Sequence, residues 1–163
     1  MIVRRMVDTA ELDERIQEIY DELDKAVREI AEKIGNVKLV VASVCGNPVA
    51  SYSDSPLSED ELNAISSLLD GTLEGLQTLF TQVLRLNLSF ENDFLFLESP
   101  DSILVLLNIS GASLLVHASK PVLLGTVRAV IKSYLPKIKR LLDELQNLQN
   151  RLLAVEALRK KEV

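Results

Sequence analysis

The spacing of apolar positions alternates between a helical and an extended rhythm, and each switch marks an element. In residues 9–34, Leu12, Ile16, Ile19, Leu23, Ala26 and Ile30 recur at alternating steps of four and three. That spacing makes one apolar stripe on a helix. Asp8 and Glu11 stand at capping-box spacing for its start. Gly35 follows the last apolar residue, where a left-handed residue closes a helix. From Val37 the rhythm shortens. Residues 37–45, VKLVVASVC, are rich in β-branched side chains and predict a strand. Gly46 to Pro48 signals a turn, and residues 49–53, VASYS, alternate as the return strand of a hairpin.

Ser58 and Glu61 form a second capping box. They open a helix running to about Leu84, with Leu62, Ile65, Leu69, Leu73, Leu76, Phe80 and Val83 as its core face. Three apolar strands follow: FLFLE (94–98), ILVLLNI (103–109) and SLLVHA (113–118). Their nearly continuous apolar runs suit a sheet covered on both faces. A last helical region starts near Leu123. Pro136 lies inside it, and its ring would clash with the carbonyl of Lys132, which predicts a kink or a break. Beyond it Ile138, Leu141, Leu145, Leu148, Leu152 and Val155 form a coiled-coil-like seam. That seam suits either another chain or the first helix of the same chain.

The predicted order is α-β-β-α-β-β-β-α. It belongs to the α/β (α+β) class as a three-layer α/β/α sandwich with a five-stranded, largely antiparallel sheet. Residues 1–135 read as the domain, and 136–163 as a helical extension.

Composition narrows the function. The 163 residues are 47% apolar and 26% charged, a globular balance. The single cysteine, Cys45, allows no intrachain disulfide and suits a reducing compartment. The opening MIVRRMVDTAELDER lacks the charge-then-apolar order of a signal peptide. No apolar run nears the roughly 20 residues of a membrane span. These features predict a soluble, cytoplasmic protein. Residues 1–35 carry 6 basic and 10 acidic side chains, residues 36–100 carry 2 and 9, and residues 101–163 carry 10 and 5. The acidic middle repels nucleic acid, and the basic tail reads as a solvated helix face rather than a phosphate or lipid contact.

No constellation for catalysis emerges. His117, in an apolar strand, has no nucleophile or orienting group indicated near it, and reads as a hydrogen-bonded strand histidine. Cys45, beside a turn, reads as structural. The pairs Asp60/Glu61 and Asp143/Glu144 read as solvated helix surface. The chain has no G-x-x-x-x-G-K-[S/T], no G-x-G-x-x-G, no C-x-x-C and no H-E-x-x-H. Catalytic residues, cofactors and metal ligands are therefore not assigned, and the chain reads as a protein that binds rather than an enzyme.

One local feature goes against helix propensity. In SLLDGTLEGLQTLF (67–80), Gly71 and Gly75 interrupt a strong helix, at about 0.5–1 kcal/mol each relative to alanine. Ser67, Gly71 and Gly75 fall in one i, i+4 row, with Ala64 and Thr78 beside it, off the core face. Such a row admits a close backbone: either the chain's own sheet, or a partner helix, most simply the same helix of a second copy related by a two-fold axis.

The stretch VKLVVASVCGNPVASYSD resembles the first hairpin of the Roadblock family of dynein light chains and their bacterial and archaeal relatives. SGASLLVHASKPVLLGTVRAVIK is similar to that family's last strand and its entry into the final helix, with Leu124, Gly125 and Arg128 matching an LG-x-x-R-like signature. Element order agrees from about Ile16 to Ser133, and the tail after Pro136 lies outside the resemblance. The resemblance implies a homodimer, or a heterodimer with a similar chain, that pairs central helices and joins two sheets edge to edge. It also implies work on Ras-like small GTPases, as activator, scaffold or dynein adaptor. Mapped onto this chain, it implies an interface of Ser67, Gly71, Gly75, Thr78, Phe94 and Phe96, with FLFLE as the edge strand. Asp70, Glu74, Gln77 and Thr81 would face the GTPase. Arg85 is the only arginine near that face, which leaves no obvious arginine finger, so activation would reshape the GTPase's own switch loops. Two other readings stand beside this one: a structural adaptor that uses the C-terminal seam without nucleotide dependence, and a longin- or profilin-like binding module.

Overall fold

Five strands form one sheet in the order β2-β1-β5-β4-β3, every neighbour antiparallel, in a computed structural model. Residues 2–87, 94–109 and 111–161 are described, with side chains from Thr9 onward. The strands are β1 (Val37–Val44), β2 (Asn47–Ser53), β3 (Leu95–Glu98), β4 (Ser102–Ile109) and β5 (Ala112–Ser119). Helices α1 (Ile2–Ile34) and α3 (Leu124–Lys161) cover one face, and α2 (Glu59–Thr78) covers the other. The expected three-layer architecture and element order hold.

The two layers are unequal. Between the sheet and α1/α3 lies the main core, where Ile19, Leu23 and Ile30 of α1 meet Ile131, Ile138 and Leu141 of α3 over Val40, Val116 and Leu107. Under α2 the buried apolar cluster is small, Leu69, Leu73 and Leu106, with Leu76, Phe80, Leu95 and Leu115 half-buried around them; Ser43 and Ser66 are buried in the same layer. Strand alternation divides the β4 side chains: Ile103, Val105 and Leu107 join the main core, while Leu106 faces α2.

Three boundaries differ from expectation. First, α1 begins at Ile2, so Asp8 lies within the helix and the Asp8/Glu11 capping box does not mark a start; the side chain of Asp8 is outside the described residues. No glycine or proline among residues 2–8 stops the helix from continuing upstream. Second, α3 runs without a break through Pro136. Pro136 is exposed, so solvent can reach the Lys132 carbonyl that loses its donor, while Ile131, Tyr134, Ile138 and Leu141 hold both sides in the core. The seam beyond Pro136 packs along α1 of the same chain: Arg15 reaches Glu144 at 2.7 Å, and Arg159 Nη2 donates to Thr9 Oγ1 at 3.1 Å. The Arg15 guanidinium holds the Glu144 carboxyl below the usual carboxylate range through this hydrogen bond.

The third difference is at the end of α2. Leu79–Val83 forms a π-helical turn. Its wider turn rotates the following residues relative to an α-helix. Val83, assigned to the core face by α-helical spacing, is instead 66% exposed.

Candidate surface on helix α2

Ser58 caps α2 as expected: its side chain accepts from the Glu61 N–H at 3.1 Å. From there the helix lies over β1 and β5, turning Leu69 and Leu73 down to the sheet. Gly71 and Gly75 face the other way. Both are exposed, and a Cβ added at either would meet no atom within 4 Å. Among the described residues nothing therefore approaches Gly71 or Gly75 closely enough to require glycine there. Leucines stand beside this hollow: Leu68 is 71% exposed and Leu79 41%. Val83, Leu84 and Leu86 continue the apolar surface past the π turn, and Leu97 extends it onto β3. These exposed leucines were invisible to pattern reasoning, since each matches a helical or strand rhythm and only the fold decides which side is covered.

The remaining expected interface residues divide. Ser67 is exposed, but its hydroxyl donates to the Gly46 carbonyl at 3.3 Å, so this end of the row touches the β1–β2 hairpin tip. Thr78 is exposed. β3 is an edge strand, with β4 alone beside it. Phe94 and Phe96 turn to the α1/α3 side, half-buried against the main core, their rings edge to face at 5.8 Å. On the α2 side of this edge Leu95 packs half-buried into the cluster of Leu69 and Leu73, and Leu97 is 51% exposed.

The residues expected to face a partner also divide. Glu74 is exposed, Gln77 is half-buried, and Thr81 is half-buried with its hydroxyl donating to the Gln77 carbonyl at 2.7 Å. Asp70 points inward. Its Oδ2 accepts from the buried Ser43 hydroxyl at 3.1 Å and from the Gly46 N–H. The tip it holds has Cys45 at φ +51° and Gly46 at φ +78°, two left-handed residues in a row, the geometry of a tight primed hairpin turn. Asp70 thus fixes where the hairpin meets α2. Asp70→Ala leaves both donors without this acceptor and is expected to destabilise the fold by about 1–3 kcal/mol, read as a lower urea midpoint.

Arg85 is exposed at φ +55°, just past the π turn. His117 pairs with Ser102 across the strands, Nε2 to Oγ at 3.1 Å. Cys45 is exposed and lines a groove of about 400 Å³ with Val44, Leu142 and Leu145. Among the described residues no group of three or more His, Cys, Asp or Glu is placed to hold a metal ion, and no helix is long and apolar enough to cross a membrane.

No protein-family model matches the sequence, and no curated protein matches it. Solved structures do. MglB from Myxococcus xanthus is 19% identical, covering 80% of this chain and 91% of its own, with a TM-score of 0.61. The gliding protein MglB from Thermus thermophilus is 14% identical over 77% of this chain and 92% of its own, at 0.63. A Roadblock/LC7 domain from Streptomyces avermitilis is 16% identical over 71% of this chain and 97% of its own, at 0.53. At these identities the likeness speaks for architecture, and the architecture of this chain is a Roadblock-like fold.

Proposed function

We propose that this chain is a dimeric, non-catalytic regulator or scaffold of a Ras-like small GTPase, with two copies paired through α2. The observation that carries the reading is the open glycine row flanked by exposed leucines. Gly71 and Gly75 weaken the helix with no close contact among the described residues to compensate. The hollow they leave and the projecting Leu68 and Leu79 are complementary, and an antiparallel copy of α2 presents the same pair of features in reverse. β3 is the edge strand on the far side of β4, and its outer backbone can continue the sheet into the second copy. Paired α2 helices would then offer Glu74, Gln77 and Thr81, with the apolar surface around Val83 and Leu84, to a GTPase.

The adaptor reading uses the C-terminal seam, whose first half, Ile138 to Leu148, is buried with α1, while Leu152 and Val155 are half-buried and Leu153 and Leu158 exposed. The test is capture of proteins from the source lysate on the full chain, with a non-hydrolysable GTP analogue and with GDP. A small GTPase retained preferentially in one nucleotide state is the expected result, and Val83→Glu should abolish it. Retention of a partner indifferent to nucleotide would sink the regulator reading in favour of the adaptor.

A further inference from the structure

The face of α1 and α3 that points away from the sheet is divided into two bands of opposite charge. The helices run antiparallel, as the Arg15–Glu144 pair and the Tyr134 hydroxyl on Glu29 at 2.8 Å establish. Residues 11–24 of α1 therefore lie beside residues 143–154 of α3, and residues 25–34 beside 124–142. The segments of the first band hold nine acidic and two basic side chains and those of the second eight basic and two acidic; Asp24 among them turns to the Ser51 N–H of β2 at 3.3 Å, and Arg15, Glu144 and Glu29 are engaged between the helices. Most of these charges are exposed, including Glu14, Glu18 and Asp21 on one side and Arg28, Lys132 and Lys139 on the other. Pairing within the chain does not neutralise the bands. Among the described residues the one ion pair joining the two helices, Arg15 with Glu144, lies wholly inside the acidic band.

The geometry points to a second copy of this chain as the occupant of this face. A two-fold axis perpendicular to the helices, passing between Asp24 and Lys25, lays the acidic band of each copy on the basic band of the other. Helix α1 then meets α1 antiparallel. Asp21 and Arg28 stand at equal distances from the axis and have the same outward helical phase, so each comes opposite the other residue of the second copy. A two-fold parallel to the helices would instead put like bands together and is repelled. Charge alone thus selects the orientation. The contact is largely solvent-exposed, so it weakens as salt rises. It lies on the sheet face opposite α2 and does not depend on how α2 is used.

Sedimentation velocity on the full chain tests this at about 50 mM and about 500 mM salt, where screening lengths differ roughly threefold. The high-salt mass reports whatever the α2 surface assembles, monomer or dimer, so failure of that reading shows there alone. The expected result is a higher mass at low salt: a doubling if the high-salt species is a monomer, and growth past a doubling if it is an α2-paired dimer, since each dimer then presents two such faces. Asp21→Arg and Arg28→Asp should each abolish this rise. An equimolar mixture of the two variants should restore it, because every facing pair is again of opposite sign. Equal mass for the unmodified chain at both salt concentrations would overturn the inference, as would a mixture that behaves like either variant alone.

Discussion

Replacing Gly71 and Gly75 together by leucine is expected to abolish assembly through α2 while making each monomer more stable. The two effects have separate causes. Leucine is among the better helix formers, and each glycine in a helix interior costs about 0.5–1 kcal/mol against such a residue. Both positions are exposed with no described atom within 4 Å of an added Cβ, so the new side chains start into open space. Together they should stabilise the isolated chain by about 1–2 kcal/mol. In the paired state the same side chains fill the hollow that admits the partner helix, and the backbones can no longer approach. Equilibrium sedimentation should show half the parent mass at high salt. Urea unfolding at a concentration where both proteins are monomeric should show a higher midpoint for the variant. Alanine at both positions separates the terms, since it gains the helix propensity with a much smaller side chain. An unchanged mass for the leucine variant would remove α2 from the interface.

Ending the chain at Lys137 should abolish folding rather than trim an appendage. The truncation removes Ile138, Leu141, Leu142, Leu145 and Leu148, all at most 8% exposed. Burial of each such side chain is worth about 1.5–3 kcal/mol, so their loss approaches about 10 kcal/mol. That is comparable to the whole stability of a typical domain, about 5–15 kcal/mol. It also uncovers Ile19 and Leu23 of α1, both fully buried. Denaturant titration should give no cooperative transition, and amide proton resonances should collapse to the unfolded range. A cooperative transition near that of the full chain would support the boundary at residues 135 and 136 that the sequence suggested. Because the truncation removes core, it cannot test the oligomeric interface; the glycine substitutions, which add bulk only where space is open, can.

Most of the fold was legible because local rules agreed with one another. Ser58 with Glu61 located the start of α2 because a capping hydroxyl needs a free N–H three residues on. Gly35 located the end of α1; its φ of +74° is open to glycine without a Cβ clash. The continuous apolar run of β4 announced a strand covered on both faces, and Leu106 and Leu107 point to opposite layers. The misreadings share one origin. Capping boxes, proline and α-helical phase are local signals: the first gave way because no breaker precedes it, the second to core contacts on both sides, and the third to a change of helix type. The Asp8/Glu11 spacing sits inside a longer helix, Pro136 is carried through by core residues on both sides, and Val83 left the core face at the π turn.

The amino-acid order by itself determined the elements, the hairpins between neighbouring strands and the anomalous pair of glycines, because these depend on spacing within a dozen residues. The tertiary structure decided what each surface is available for. It committed the first half of the C-terminal seam to α1, turned Asp70 inward to the hairpin and left Gly71 and Gly75 open. It also aligned α1 and α3 so that charges far apart in sequence form two opposed bands. Spacing along a helix says which residues share a face. Only packing against the other elements says which face remains uncovered, and a binding protein acts through what remains.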